Sequence, residues 1–283
     1  PQLFEARPSL QFASFKSHLP PLAEEHRRRR ALGFDVSLLG PGELRDRFGI
    51  ARPGGLLSMH AAQIDAYALT HALLGGIVER GGAVHEDTEA VSITHRRNGV
   101  DVHTSGGHRV RARRLVIACG YESQRYLPKP VEELFVTYAL VTKPLRPADL
   151  WWRQSLLWET ARPYFYGRCG ADGRIIIGGR DIRYDGRPYA GSLPGKTRAL
   201  LAAFRRLMPH LQPEVEGSWA GMFAATADGL PYIGTVPGQP RTWYALGFGG
   251  NGILFSMLAA RIIAGLITRG QQPDADLFSF DRA

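Results

Sequence analysis

The sequence predicts a mixed α/β protein in which two domains interleave along the chain, one α/β and one richer in antiparallel strands. Three observations lead there. Leu69, Leu73 and Ile77 recur at a helical spacing within residues 65–82. Residues 83–120 then switch to strand-like runs, punctuated by Asn98-Gly99 and Gly106-Gly107, and close on the apolar run LVIAC before Gly120. From 131 to 190 aromatic and β-branched residues dominate, in LFVTYALVTK, SLLWET, RPYFYGR and RIIIGGRD. A chain of 283 residues is long enough for two ordinary domains.

Taken in order, residues 18–32 predict a helix, with Pro20 and Pro21 near its start and Gly33 closing it. FDVSLL predicts a short strand, and Pro41 opens a helix over GELRDRF. GLLSMH reads as a strand end. Asp65 is placed to cap the next helix, which Gly81 and Gly82 end. The Gly75–Gly76 pair inside it costs helix propensity and predicts close packing against a neighbour. LVIAC predicts a central strand and a buried Cys119. Asp172-Gly173 joins two strands as a hairpin, and residues 196–211 form a helix before Pro213. TWYALGF returns to a buried strand, and a glycine-rich turn leads to the last helix. Helix, strand, small meander and buried strand ending at glycine is an order common in flavin- and nicotinamide-binding domains.

Composition excludes several classes. A hydrophobic fraction of 44% and a charged fraction of 22% describe a globular protein. The formal net charge is +9, carried almost wholly by Arg, with Lys only at Lys16, Lys129, Lys143 and Lys196. The one dense basic run, HRRRR at 26–30, reads as a solvated helix face, and no aromatic-interleaved basic stripe supports nucleic-acid binding. Cys119 and Cys169 make neither a disulfide framework nor a metal site. The run 253–267 is broken by Ser256, Arg261 and Gly265 and is short for a membrane span. No signal peptide is recognised, so a cytoplasmic location is expected. The opening PQLFEARPSLQFAS reads like the middle of a protein.

The stretch most suggestive of chemistry is GFGGNGILFSMLAARIIAGLI, residues 247–267. Its glycines permit positive φ or a close backbone approach, and the N–H groups of the helix's first turn would face whatever lies there. A turn with no other role is the competing reading.

Four stretches in chain order resemble the FAD-dependent oxidoreductases of the D-amino-acid-oxidase superfamily. The likeness is nearest to the glycine, sarcosine and γ-glutamylputrescine oxidase branch. They are DAYALTHALLGGIVERGGAVHEDTEAVSI, RRLVIACGYES, WAGMFAATADGLPYIG and GFGGNGILFSMLAARIIAGLI. The resemblance implies an FAD/NAD(P)-binding-like domain interleaved with an antiparallel-sheet substrate domain. It assigns 33–125 and 214–270 to the first, and 1–32 and 126–213 to the second. Members of the superfamily begin with a βαβ unit carrying G-x-G-x-x-G, which holds the FAD pyrophosphate. No such sequence is recognised in this chain. The chain is therefore expected to be a fragment, or to find the missing N-terminal segment on a partner chain.

The resemblance implies FAD as cofactor and Gly247, Gly249, Gly250, Asn251 and Gly252 as contacts to it. A helix N-terminus at the N1–C2=O edge of a flavin favours the anionic reduced ring. Gly120, with Tyr121 and Ser123 after it, follows the apolar strand and permits close approach at a strand end. Asp228 and Gly229, ahead of Leu230 and Pro231, form a second loop of the cofactor side, with capping of its own turn as the competing reading for Asp228. Val91 matches a position whose backbone meets the adenine. Candidates for the substrate pocket are His60, Tyr164, Tyr166, Met222, Phe223 and Phe248, with Trp219 beside them. No metal is implied.

Departures from the family narrow the substrate. Glycine-oxidase-like relatives carry an Arg at the position of Phe223 and another at that of Gly250, and those arginines clamp the substrate carboxylate. A Lys near the site of oxygen reaction in some relatives is matched by Ile176. A small-molecule amine, or a substrate whose carboxylate lies far from the reacting carbon, is therefore expected, and the electron acceptor, dioxygen or another, is left open. The expected reaction is hydride transfer from the α-carbon of a neutral amine to flavin N5, followed by hydrolysis of the imine. The alternative is a non-catalytic fragment or subunit that needs a partner segment to bind FAD.

Overall fold

The computed structural model describes residues 4–282. The chain divides into two compact units, residues 1–69 with 136–221 and residues 70–135 with 222–283. The division does not follow the boundaries expected at 32/33, 125/126 and 213/214. Residues 33–69 join the first unit because their strands pair with the N-terminal strand.

The first unit opens with β1 (Phe4–Phe12), α1 (Leu19–Ala31), β2 (Val36–Leu39), α2 (Pro41–Phe48) and β3 (Gly55–Ile64). β1 pairs antiparallel with β3, and β2 with β3. β1 carries no strand signature of its own, because Pro8 sits inside it, where β1 and β3 change register between Arg7 and Ser9. Along α1, Glu24 pairs with Arg27 and Arg28, and Glu25 with Arg29, so HRRRR is a charged helix face. Gly49, at φ 68, ends α2 in the left-handed conformation.

α3 (Ala66–Glu79) follows, and Asp65 Oδ1 accepts the Ala68 N–H at 2.9 Å as a cap. Its composition is apolar, yet α3 buries no residue, and Leu73, Ile77 and Val78 are exposed. Nothing stands within 4 Å of a Cβ built on Gly75, and one built on Gly76 would meet only the side chain of Arg80, one turn on, at 2.9 Å, so among the described residues no other element packs closely on the pair.

The second unit holds an antiparallel meander of β4 (Ala90–Arg96), β5 (Gly99–Thr104) and β6 (Arg109–Ala112), turned by the predicted glycines. β7 (Leu115–Ile117) is the LVIAC strand. It is an outer strand, not a central one. The small sheet has the order β13 (Tyr232–Gly234), β14 (Thr242–Leu246), β7, with Val116 exposed and Cys119 exposed just past the strand end. Cys169 is the buried thiol.

The chain returns to the first unit through β8 (Glu133–Thr142), β9 (Leu156–Glu159), β10 (Phe165–Cys169), β11 (Ile175–Arg183), α4 (Leu193–Leu207) and β12 (Val215–Ala225). The eight-stranded sheet has the order β12-β8-β11-β10-β9-β1-β3-β2. α4 packs on β11. Its Phe204 lies 6.4 Å from the Phe165 ring and 6.3 Å from Trp151, and Leu200, Ile175, Ile177 and Tyr138 are fully buried. Alternation along the strands then turns Thr137, Tyr166, Ile176 and Gly178 to the face that α4 does not cover.

The second unit closes with β13 (Tyr232–Gly234), β14 (Thr242–Leu246) and α5 (Gly252–Arg269). β14 runs parallel to β7 and antiparallel to β13. Residues 249–269 are long and apolar enough to cross a membrane by length and composition. Ala259, Ile262 and Ile263 of α5 instead pack in a core with Ile233, Ala245 and Phe278.

Candidate functional site

In the second unit, two glycine turns leave adjacent parallel strands at one sheet edge. Tyr244 of β14 stands opposite Ile117 of β7, and each strand ends within a few residues of that pair. Gly120 follows β7 at φ 63, while Gly247 and Gly249 follow β14 at φ 76 and 53. Ligands of open α/β sheets gather at such carboxyl ends. No atom lies within 4 Å of a Cβ built on Gly120, Gly249 or Gly252. Asn251 supplies no side-chain cap to α5, so the first-turn N–H groups are left for another acceptor.

Gly247, Gly249 and Gly252 also spell G-x-G-x-x-G. The spacing does occur in this chain, after a strand and before a helix. What the described residues lack is the second parallel strand after α5 that completes a βαβ unit. Gly247 is packed tightly: a Cβ there would stand 2.6 Å from Thr226 Cγ2. Gly250 and Asn251 are exposed.

Beside Gly247 lies Glu132, which the sequence did not single out. Both its carboxylate oxygens are buried without a hydrogen-bond partner. Burial pushes its pKa up to about 7, against the pull of the nearby Gly247 N–H.

The loop 226–231 is fixed from within. Asp228 Oδ1 accepts the Leu230 N–H at 3.0 Å and the Thr226 hydroxyl at 3.2 Å. Arg282 then grips Asp228 and donates to the carbonyls of Leu230 and Pro231, with its guanidinium 3.6 Å from the Tyr232 ring centroid. The Asp228 side chain is thus engaged in capping its turn. Gly229 sits at φ 76 with open space before it.

Val91 is the residue that β4 bulges out of its ladder, since pairing with β5 shifts register between Ala90 and Ser92. A bulge frees backbone groups for another partner. Val91 lines an open cleft of about 480 Å³ with His95, Arg125, Tyr126, Gln239 and Tyr244.

The substrate candidates divide between the units. Phe223 stacks on Phe135 at 5.6 Å, and Phe248 lies 6.3 Å from Phe255, both within the second unit, where Met222 also lies. Tyr164 and Tyr166 stand together in the first unit, 5.9 Å apart. His60 is exposed on β3 against Phe34, three strands from β10 in the sheet order. Trp219 is exposed on β12. Thr137 and Asp181, neighbours of Tyr166, were missed; the paired glycines before Arg180 were their only signal in sequence.

Residues 2–266 match the family model described as DAO, FAD dependent oxidoreductase. The chain belongs to this family. Among solved structures, glycine oxidase from Geobacillus kaustophilus superposes with a TM-score of 0.87 at 25% identity, over 99% of this chain and 76% of that one. L-proline dehydrogenase from P. horikoshii gives 0.85 at 19% identity, over 98% of this chain and 76% of its own. Glycine oxidase from Bacillus cereus gives 0.85 at 20% identity, over 99% and 77%. A search of curated proteins gives no match. The family relationship makes FAD the cofactor to test against the geometry. The glycine turns at the carboxyl ends of β7 and β14 offer the open, side-chain-free backbone that a flavin requires.

Proposed function

We propose that this chain is the larger part of a flavoprotein that oxidises the C–N bond of a small amine. The observation that carries the reading is the pair of positive-φ glycine turns after parallel β7 and β14, next to the uncapped start of α5. FAD, when bound, supplies the acceptor for the hydride leaving the amine's α-carbon. Gly120, Gly247, Gly249, Gly250, Asn251 and Gly252 hold it by backbone, and the partial positive charge of the α5 N-terminus favours negative charge developing beside it. The backbone of Val91 meets the adenine, and Gly229 with the Asp228 turn borders the same side.

The substrate is an amine lacking an adjacent carboxylate. Phe223, stacked on Phe135, offers an apolar wall where relatives carry a carboxylate-binding Arg, and Gly250 offers no side chain. Met222 and Phe248 of the second unit bind and desolvate the alkyl part, and Tyr164, Tyr166 and, more weakly because of its exposure on β3, His60 are the candidates of the first unit. A segment outside these 283 residues, on the same polypeptide or a partner chain, grips the pyrophosphate. The exposed Val116 on β7 and the exposed apolar residues of α3 support this. A cytoplasmic location belongs to the same reading. The alternative, a non-catalytic subunit, keeps the fold without turnover.

An absorbance spectrum of the complete native protein, followed by anaerobic addition of primary and secondary amines, tests the proposal. Flavin bands that bleach with amine are expected. A colourless protein sinks the cofactor assignment, and flavin that no amine reduces sinks the reaction.

A further inference from the structure

Glu132 links the two glycine turns of the second unit. It stands just before β8, at the end of the segment that leads away from the 3-10 turns at Gly120–Tyr126. Gln124 braces that segment: its amide donates to the Lys129 carbonyl at 2.9 Å, and its Oε1 accepts the Val131 N–H at 2.8 Å. The Glu132 side chain reaches the other turn, where Oε2 would lie 3.7 Å from a Cβ on Gly247. Thr226 Cγ2 and the Tyr232 N approach the same point, at 2.6 and 3.9 Å. Both oxygens of the carboxyl are buried.

Bracing a turn does not call for an acid. A Gln at 132 would offer the Gly247 N–H an acceptor without burying a titratable group. Burial pushes the Glu132 carboxyl up to about 7, and the Gly247 N–H pulls the other way. Charged groups on the surrounding elements are engaged with one another. Asp228, on the loop of Thr226, is gripped by Arg282, whose guanidinium covers the Tyr232 ring. Arg125, beyond Gly120, donates to the Ala90 carbonyl at 2.7 Å and pairs with Glu89 and Glu122. Lys129 and Glu133, on either side of Glu132 in the chain, are exposed. None of these is among the influences on Glu132, so its carboxyl is poised to respond to a new charge at Gly247.

We propose that Glu132 is a positioning residue that stores a proton for the flavin: it takes one up from solvent when the flavin beside Gly247 is reduced and releases it on reoxidation. The proposal rests on the reading that the Gly247–Gly252 turn borders FAD, and it does not depend on which substrate is oxidised. Reduction by hydride adds negative charge on the far side of that turn. A carboxylate held behind it opposes the added charge, and protonation of Glu132 removes the opposition. Both electrons go to the flavin. Glu132 exchanges only a proton with water, so the step needs no further reactant. The N-terminus of α5 supplies a fixed partial charge, whereas Glu132 supplies one that adjusts to the state of the cofactor.

The test reduces the complete flavoprotein photochemically, without substrate. Reduced-minus-oxidised infrared spectra at about pH 8 should gain the C=O band of a protonated carboxyl, and Glu132→Gln should lack it. The midpoint potential should fall with pH more steeply in the wild type than in Glu132→Gln above about pH 7, by up to one proton per two electrons. That is a tenfold change in the reduction equilibrium per pH unit, about 30 mV for a two-electron couple. Glu132→Asp should keep the extra proton. No carboxyl band on reduction of the wild type, or equal slopes in the two proteins, overturns the proposal and leaves Glu132 as an acceptor that shapes the turn. Should Glu132→Gln fail to retain flavin, the wild-type infrared spectrum decides by itself. A complete protein without flavin bands overturns the cofactor reading, and the proposal with it.

Discussion

Arg282 holds Asp228 through both carboxylate oxygens, Nε to Oδ2 at 2.8 Å and Nη2 to Oδ1 at 3.2 Å. The pair ties the C-terminal end of the chain to the turn after β12. Arg282 is well covered, whereas Asp228 keeps much of its exposure, so the Coulombic part is screened and the carbonyl contacts matter as much. Arg282→Ala should cost about 1–2 kcal/mol of stability, read as a lower denaturation midpoint. Arg282→Lys should recover only part, because an ammonium cannot reproduce the paired geometry.

The same pair sets a pH response. Arg282 holds the Asp228 carboxyl far below the usual carboxylate range. A depressed folded-state pKa gives stability that is present above the unfolded value of 3.8 and is lost as pH falls below it. Acid unfolding of Arg282→Ala should therefore show a smaller loss than the parent as pH falls from 5 through 3, by less than one bound proton in the slope of stability against pH. Equal acid profiles would show that the pair carries no net charge–charge stabilisation.

Glu132 responds in the opposite sense. Its folded pKa is raised from 4.5 to about 7 by burial. A raised value means that its contribution is fully present below 4.5 and is lost as pH rises through 7. Glu132→Gln should then gain on the parent at pH 8 relative to pH 5, on the order of 1–2 kcal/mol after allowance for solvent access. Denaturant titrations at the two pH values check this, and a difference of zero would mean that water or another group solvates the carboxylate.

The contrast between Gly247 and Gly250 separates folding from cofactor contact. Gly247→Ala places a Cβ 2.6 Å from Thr226 Cγ2 at φ 76, so it should destabilise the fold by about 1–3 kcal/mol. Gly250 is exposed, and Gly250→Ala should leave the melting temperature unchanged. If the backbone here borders the flavin, Gly250→Ala should nevertheless alter flavin content or reduction potential in the complete protein. Unchanged values for both would make Gly250 only part of a turn.

Much of this arrangement could be read from the sequence, and the exceptions share a cause. Asp65 as a cap, Asn98-Gly99 and Asp172-Gly173 as turns, and the strand–glycine–helix order at 242–269 are local features whose chemistry is written in consecutive residues. β1 was hidden because its pairing with β3 is non-local and Pro8 masks its pattern. The grouping of 33–69 with the first unit depends on that same strand. β7 looked central because apolar strands are commonly buried on both sides, and composition does not say which neighbours are present. Arg282 and Glu132 act on partners far away in sequence, so no spacing announces them.

The described residues carry no complete βαβ phosphate site, although family members are FAD dependent. The 283-residue chain alone should therefore bind FAD weakly, because the pyrophosphate would lack a helix N-terminus within a Rossmann-type unit. Equilibrium dialysis of the chain by itself decides this. A sub-micromolar dissociation constant would show that the turn at Gly247–Gly252 suffices for the whole cofactor.

The proposed amine preference turns on Phe223. Its ring stacks on Phe135 at an interplanar angle of 25°, which leaves an apolar surface and no donor for a carboxylate. A desolvated carboxylate facing that surface loses its hydrogen bonds to water and gains none. An amine should therefore be favoured over its α-carboxylated analogue by roughly a hundredfold in kcat/KM, equivalent to a few kcal/mol. Anaerobic stopped-flow reduction of the complete flavoprotein, with amine and amino acid in matched pairs, isolates this half-reaction from the electron acceptor. Phe223→Arg should shift the ratio toward the carboxylated partner by supplying a paired donor. Should glycine, sarcosine or another α-amino acid outrun every amine in the unaltered protein, the carboxylate has a donor elsewhere. Arg168, which reaches Gln63 Oε1 at only 3.5 Å, and Arg180 would be the first to replace.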